Sequence, residues 1–307
     1  MSATGVAAAA RRGADANGLL YGLGAYGLWG IFPFFFDALA PAGSVEILAH
    51  RVVWTVLLLT MLLVALRRLG DLREINRRTW VLLTFASGLI STNWLIYIYS
   101  VNSGHVVDAA LGYFITPLVG VALGVVLFGE RLNGVQRVAL LLALAAVLLL
   151  SVGVGGPALI AIGLALSFGL YGAVRKVVPT DPRVSVAVET AIAAPFAATY
   201  LVVLHLSGQA EFTHHGPVHT TLMLLCGPVT AAPLLLFAAA AQRLPLVTLG
   251  LLQYLTPSMQ LTWGVLVGRE PMSTTRWAGF GLIWVALAVF SSDALRRARA
   301  ERVARQE

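Results

Sequence analysis

Long apolar stretches, separated by short polar loops, occupy almost the whole chain. A membrane-spanning helix needs about 20 predominantly apolar residues, and ten stretches meet this requirement. Strands are a poor alternative because the stretches are too long and only closed barrels of alternating pattern span a bilayer. The sequence therefore predicts an all-α membrane protein with ten transmembrane helices. The predicted spans cover residues 18–38, 45–66, 80–101, 106–128, 134–152, 157–175, 185–206, 218–241, 246–268 and 276–293.

One apolar stretch occurs twice, at residues 115–130 and again at 255–270. A constant shift of 140 residues aligns a Thr-Pro pair, a glycine and a terminal glutamate in the two copies. A self-match at so long a period indicates that half of the protein has been duplicated. The aligned residues are Thr116-Pro117 with Thr256-Pro257, Gly124 with Gly264, and Glu130 with Glu270.

The duplication divides the chain into four parts. We predict a disordered tail at residues 1–17, a first five-helix repeat at 18–152, a second at 153–293, and a basic cytoplasmic tail at 294–307. Because five spans precede the second repeat, an odd number, the two repeats are expected to lie upside-down relative to each other. Inverted repeats of this kind enclose a central cavity near the middle of the membrane.

The positions of the Lys and Arg residues predict the orientation. With the N-terminus in the cytoplasm, only Arg51, Arg269 and Arg276 fall on the outer side, as the positive-inside rule requires. Ten spans then return the C-terminus to the cytoplasm. We therefore expect a multi-pass protein of the bacterial inner membrane with both termini inside.

The composition excludes several other classes of protein. Hydrophobic residues make up 58% of the chain and charged residues only 11%, whereas soluble domains carry about 25% charged residues. The net charge of +7 lies mostly in loops and tails, where it sets membrane orientation and does not indicate nucleic-acid binding. The single cysteine, Cys226, excludes a disulfide framework.

Several short motifs resemble those of the EamA-type permeases of the drug/metabolite transporter superfamily. The resemblance covers roughly residues 18–293, nearly the whole chain. It implies ten helices in two inverted five-helix halves around a central cavity, and transport of a small molecule, but it supplies no substrate. The segments that carry it are residues 26–33, 46–54, 93–94, 111–117 and 129–131 in the first half, and 168–176, 248–250, 253–254 and 283–290 in the second.

Two clusters of ionisable residues lie within or beside the predicted spans, where each charge costs about 2.5–3.5 kcal/mol on insertion scales. We hypothesise that each cluster is a gate, which closes one side of the cavity when its ion pair forms. The alternative is that these residues only anchor helix ends. The outer cluster is Glu46, His50 and Arg51, with Asp37 and Asp108 on the same side; the inner cluster is Arg175, Lys176 and Glu189.

Aromatic and amide side chains lie between these clusters. Rings with one polar edge suit a mostly neutral or amphipathic organic solute, although the same residues could instead pack helices or form an interfacial belt. Prolines inside spans are the expected hinges. The predicted cavity lining is Trp29, Asn93, Tyr97, Tyr113, Tyr171, Gln253 and Tyr254, and the predicted hinges are Pro117, Pro233 and Pro257.

The sequence thus predicts a secondary transporter of small organic solutes that works by alternating access in a lipid bilayer. Proton coupling through Glu46, His50, Asp108 or Glu189 and uncoupled exchange both stay open, as does a homodimer. We expect no cofactor, metal or nucleic-acid partner. A channel-like pore is the first alternative. A membrane-embedded enzyme is less favoured because no nucleophile has a base in reach.

Overall fold

The computed structural model describes residues 3–129, 132–151, 155–241, 243–244 and 252–304. Across these ranges the regular structure is helical. The helices are α1 (Ala3–Gly30), α2 (Phe32–Asp37), α3 (Ser44–Ala65), α4 (Arg77–Asn102), α5 (Val106–Phe128), α6 (Gly134–Ser151), α7 (Gly155–Val177), α8 (Pro182–Leu206), α9 (Gly216–Ala241), α10 (Leu255–Leu266) and α11 (Thr274–Ala304), with a 3-10 turn at Leu69–Glu74.

Six helices in the described part of the chain are long and apolar enough to cross a membrane. Three shorter apolar helices, Gly134–Ala146, Leu159–Arg175 and Thr274–Val289, accompany them. The all-helical prediction is confirmed for these residues, while the total of ten crossings stays a prediction. The six crossing-competent segments are Asn17–Asp37, Ser44–Ala65, Arg77–Asn102, Val106–Leu127, Arg183–Leu206 and Gly216–Phe237.

The helix ends differ from the predicted spans in three places. Helix α1 begins at Ala3, so the structure has helix in the segment predicted as a disordered tail. Helix α11 continues to Ala304, well into the predicted C-terminal tail. Helix α10 begins only at Leu255, and residues 245–251 of the ninth predicted span lie outside the described residues.

Local chemistry accounts for several helix ends. The side chain of Asn76 accepts a hydrogen bond from the Thr79 N–H at 2.9 Å and caps α4, and Asp181 caps α8 in the same way. Such caps satisfy N–H groups that the first helical turn leaves without partners. At the C-terminal end of α5, Gly129 has a φ of 64°, the left-handed conformation in which helices commonly end.

The main contacts between helices of different halves keep the same pattern when the two halves are exchanged. Let α1, α3, α4, α5 and α6 correspond to α7, α8, α9, α10 and α11. The contact of α1 with α9 then corresponds to that of α4 with α7, α3–α9 to α4–α8, and α5–α7 to α1–α10. The pairs α3–α8, α5–α10 and α6–α11 correspond to themselves. All of these pairs join one half to the other, and the three self-corresponding pairs look the same from either half.

Glycines allow two of these helix pairs to approach closely. A Cβ on Gly112 of α5 would lie 2.7 Å from the carbonyl oxygen of Ala161 in α7, and one on Gly227 of α9 would lie 2.7 Å from that of Trp54 in α3. Neither backbone oxygen can move without shifting its helix. Small residues at such crossings are how membrane helices come into close van der Waals contact.

Candidate functional site

Arg51 is a buried cation in the interior of the helix bundle, only 3% exposed. Its Nε donates to the Thr230 hydroxyl of α9 at 2.8 Å. Its guanidinium carbon lies 4.0 Å from the centroid of the Trp94 ring, and 5.4 and 5.6 Å from those of Phe32 and Phe36. The buried Nη1 has no hydrogen-bond partner. An aromatic box therefore holds this guanidinium without a counter-ion among the described residues.

The other two members of the outer cluster contact a loop instead of Arg51. The Glu46 carboxylate accepts the N–H of Glu211 at 2.8 Å. The His50 ring stacks on Phe212 of the same loop at 4.5 Å, and its Nδ1 accepts from the Trp54 indole at 3.1 Å, so that nitrogen carries no proton. The ion pair expected within the outer cluster is therefore absent from the described residues, because the loop between α8 and α9 takes up Glu46.

A different ion pair lies at the N-terminal end of α5. Nη2 of Arg276 is 3.1 and 3.0 Å from the two carboxylate oxygens of Asp108, and the two side chains are only 13% and 7% exposed. Asp37, grouped with this side of the membrane by the sequence, is exposed at the end of α2. Sequence reasoning placed Arg276 outside but missed it as a partner of Asp108, because the two residues are far apart in the chain.

The inner cluster does form an ion pair. Oε1 of Glu189 is 3.1 Å from Nη1 of Arg175, and Oε2 accepts from the Tyr171 hydroxyl at 3.0 Å. The Ser87 hydroxyl donates to the Glu189 backbone carbonyl at 2.6 Å, which ties α4 to α8. Lys176 lies in α7, and its side chain is outside the described residues.

A second charged contact lies next to the inner cluster, at the start of α8. Asp181 accepts from Arg183 at 3.1 Å and from Arg68, in the loop after α3, at 2.7 Å. The hydrogen bonds from Arg183 and Arg68 hold the pKa of the Asp181 carboxyl well below its usual range, and the pKa of the Arg68 guanidinium is raised mainly by Asp181. The contact therefore clamps this loop to the start of α8 at neutral pH.

Asn93 joins three helices. Its amide nitrogen donates to the Leu164 carbonyl at 3.1 Å and to the Ser167 hydroxyl at 3.0 Å, both in α7. Its amide oxygen accepts from the Tyr113 hydroxyl of α5 at 3.1 Å. Asn93 is 1% exposed, so in this structure it serves as a link between α4, α5 and α7.

A row of aromatic rings runs from the Arg51 region to Glu189. Tyr97 lies 6.0 Å from Phe36 and 5.6 Å from Tyr113. Phe168 then lies 6.2 Å from Tyr113 and 5.9 Å from Tyr171. The structure therefore brings three of the predicted lining tyrosines into one continuous row.

The remaining predicted lining residues have their ring contacts elsewhere. Trp29 packs against Tyr26 at 5.5 Å and Phe237 at 5.9 Å. Tyr254 stacks on Phe114 at 6.4 Å, and the neighbouring Gln253 is half-buried in the turn before α10. The aromatic row is thus formed by lining residues of α4, α5 and α7, whereas Trp29 and Tyr254 make these ring contacts outside the row.

The three predicted hinge prolines do not occupy equivalent positions. Pro117 lies inside α5 and Pro233 inside α9. Pro257 lies in the first turn of α10, because that helix begins at Leu255 and not at residue 246. A proline in a first turn removes no helical hydrogen bond, so Pro257 breaks no bond within α10, and its role as a hinge stays a prediction.

Glu270 has a role that sequence reasoning did not assign. Its carboxylate oxygens accept the backbone N–H groups of Val106 and Val107 at 2.6 and 3.0 Å, so Glu270 caps α5 from the far end of the chain. Next to it, a Cβ on Gly264 would lie 2.7 Å from the Val107 side chain. Both residues belong to the repeated stretch, which was the available signal. Its other glutamate, Glu130, lies outside the described residues.

Comparison with known proteins identifies relatives along almost the whole chain. Residues 16–152 and 156–292 each match the EamA-like transporter family. Protein RarD of Streptomyces exfoliatus is 49% identical over 93% of this chain and 91% of its own length. A protein of Vibrio cholerae described as an uncharacterized transporter is 40% identical over 94% and 96%.

A solved crystal structure gives a similar fold. It superposes with a TM-score of 0.60 at 18% identity and covers 90% of this chain and 97% of its own, a likeness that concerns the fold alone. The resemblance noted from the sequence motifs is confirmed by the family matches, and the two matched segments are tandem copies of one domain. With its several crossing-competent helices, the chain is a multi-pass membrane protein, and it belongs to the EamA-like transporter family of the drug/metabolite transporter superfamily.

Proposed function

We propose that this protein is a secondary transporter that moves small organic solutes across the bacterial inner membrane by alternating access. The observation that carries this proposal is the packing pattern that survives exchange of the two halves. A bundle whose halves are interchangeable has two nearly equivalent packings, one open to each side, if the halves are inverted. The proposal therefore includes ten crossings, two inverted five-helix repeats and cytoplasmic termini.

Two buried ion pairs are the proposed gates. Arg175 and Glu189 would close the cytoplasmic side, and Asp108 and Arg276 the outer side. Each pair joins different helices, so opening on one side requires one pair to separate. The Arg175 side chain is 21% exposed, so separating the inner pair should cost between a surface pair and a buried one, about 1–3 kcal/mol.

The aromatic row is the proposed lining of the solute path. Asn93, Tyr97, Tyr113 and Tyr171 supply polar edges along apolar rings, which suits a solute with both characters. Trp29, Gln253 and Tyr254 would join this lining when α1 and α10 move. The proposed bending points are Pro117 in α5, Pro233 in α9 and Pro257 at the start of α10.

Solute exchange in proteoliposomes tests the proposal. Vesicles loaded with a mixture of polar and amphipathic metabolites are assayed by mass spectrometry for protein-dependent efflux, and each compound released is retested for saturation and for stimulation by solute on the opposite side. Alternating access predicts both properties. Flux that grows in proportion to concentration without trans-stimulation would instead indicate a pore.

A variant pair tests the inner gate. Glu189→Gln removes the charge that holds Arg175, so we expect the inward-open state to gain about tenfold in population, equivalent to 1.4 kcal/mol. Binding of solute from the outer side should weaken by a similar factor. Arg183→Gln is the matched control, because Arg183 pairs with Asp181 in a more exposed contact. Equal transport by both variants and the unaltered protein would refute the gate.

The same vesicles separate proton coupling from uncoupled exchange. An imposed pH gradient should accelerate uptake if a carboxylate such as Glu46 or Glu189 carries the proton. Uptake that ignores the gradient, while counterflow continues, assigns the protein to uncoupled exchange.

A further inference from the structure

Arg51 differs from the other buried or half-buried arginines of the described chain in having no acidic partner. Arg175 pairs with Glu189, Arg276 with Asp108, and Arg68 with Asp181. Among the described residues, the Arg51 side chain donates one hydrogen bond, from Nε to the neutral hydroxyl of Thr230. A buried charge is ordinarily retained only when it is paired, so an anion from outside the described residues would stabilise this cation.

The contacts of the guanidinium define which of its groups are free. The Trp94 ring covers it at 4.0 Å, and such stacking stabilises the cation without using its N–H groups. Thr230 accepts from Nε and in turn donates to the Cys226 carbonyl at 2.8 Å, which fixes the orientation of the fork. The buried Nη1 is left without an acceptor.

A second unsatisfied donor lies close by. The hydroxyl of Tyr97 is buried and has no hydrogen-bond partner in the described part of the chain, and Tyr97 and Arg51 pack against the same ring, that of Phe36. Two donors without an acceptor are complementary to a group that only accepts. A carboxylate is such a group, and arginine binds it with its planar fork of N–H donors.

We propose that Arg51 and Tyr97 bind the carboxylate of a monoanionic organic solute, whose apolar body packs along the aromatic row. A single cation without a second Lys or Arg among its described contacts matches one negative charge, not a phosphate dianion. The inference rests on the proposed transport function and narrows its substrate class. It also gives Arg51 a binding role in place of the gating role expected from sequence.

The test is ligand binding by the purified full-length protein in nanodiscs. Thermal stabilisation is measured with phenylacetate, indole-3-acetate and octanoate, and with the primary amide of each acid as its neutral counterpart. We expect at least one acid to bind tenfold or more tightly than its amide. If none of the three acids binds more tightly than its amide, the proposal is overturned.

Two variants locate the binding. Tyr97→Phe removes a hydroxyl that has no partner in the structure, so it should leave stability unchanged or higher yet weaken acid binding severalfold. Arg51→Gln should remove the preference for acid over amide. Arg243→Gln is the control, because Arg243 also lies over an aromatic ring, Tyr21 at 5.2 Å, but is exposed. If both variants fold and bind the acids as tightly as the unaltered protein, the proposed site is contradicted.

Flux measurements separate this inference from the function on which it rests. If neutral solutes exchange saturably while acids neither bind nor move, transport stands and the carboxylate site falls. If acids bind in an Arg51-dependent manner but no solute is exchanged, the site stands and the transport proposal falls.

Discussion

The cap that Glu270 places on α5 gives a quantitative test of how the two halves are joined. Its two oxygens accept from Val106 and Val107 at 2.6 and 3.0 Å, so the side chain joins the segment after α10 to the start of α5. Hydrogen bonds to a charged group contribute about 1.5–3 kcal/mol each. A carboxylate at a helix N-terminus also interacts favourably with the helix dipole, by about 0.3–1 kcal/mol.

A graded series of substitutions should reproduce these magnitudes. Glu270→Gln keeps one acceptor and loses the charge, so we expect the free energy of unfolding to fall by about 1–3 kcal/mol. Glu270→Ala leaves both N–H groups buried without an acceptor and should cost about 2–5 kcal/mol. Thermal unfolding in detergent, followed by tryptophan fluorescence, gives the order of midpoints.

The matched control is Glu211→Gln. The Glu211 carboxylate makes a partly exposed contact with His215, and such surface pairs contribute less than about 1 kcal/mol. Unfolding of Glu270→Gln at the midpoint of Glu211→Gln would contradict this role of Glu270, because the backbone N–H groups of α5 would then not depend on its charge.

Three further predictions follow from single contacts. Gly112→Val should lower the free energy of unfolding by about 1–3 kcal/mol, since its Cβ would lie 2.7 Å from the Ala161 carbonyl oxygen. An unchanged thermal unfolding midpoint would refute the close packing of α5 and α7. Asn93→Ala leaves the Tyr113 hydroxyl without its acceptor and should lower the free energy of unfolding by about 1–3 kcal/mol, in contrast to Tyr97→Phe. Equal unfolding midpoints for these two variants would be incompatible with the described network. For Asp181, whose pKa is lowered by Arg183 and Arg68, the carboxylate stabilises the fold above its ordinary pKa of about 3.9, and this contribution is lost as the pH falls further. Asp181→Asn should therefore lower the free energy of unfolding at pH 7 by about 1 kcal/mol or less. The difference should shrink as the pH falls, and a difference that grows in acid would contradict the lowered pKa of Asp181.

The helical architecture could be read from the sequence because lipid imposes it. Continuous apolar stretches must form helices in a membrane, and the repeated Thr-Pro stretch revealed the duplication that the two family matches confirm. The Arg175–Glu189 contact was also accessible, because both residues lie near the ends of consecutive helices and carry opposite charges.

The outer side could not be read in the same way. Glu46 and Arg51 are close in sequence and opposite in charge, yet Glu46 accepts from the Glu211 backbone and Arg51 lies against Trp94. Such partners depend on tertiary packing between distant helices, which leaves no local pattern. For the same reason, the sequence did not predict the pairing of Arg276 with Asp108, which are 168 residues apart. It also did not predict the cap by Glu270, which lies 164 residues from Val106.

Inversion of the two repeats is the claim on which the transport mechanism depends, and cysteine labelling tests it most directly. In a Cys226→Ala background, Gly70→Cys and Gln209→Cys place single thiols in exposed positions of two corresponding loops, α3–α4 and α8–α9. A membrane-impermeant maleimide applied to intact cells should label position 209, and position 70 only after permeabilisation. Labelling of both thiols from the same side would contradict inverted repeats.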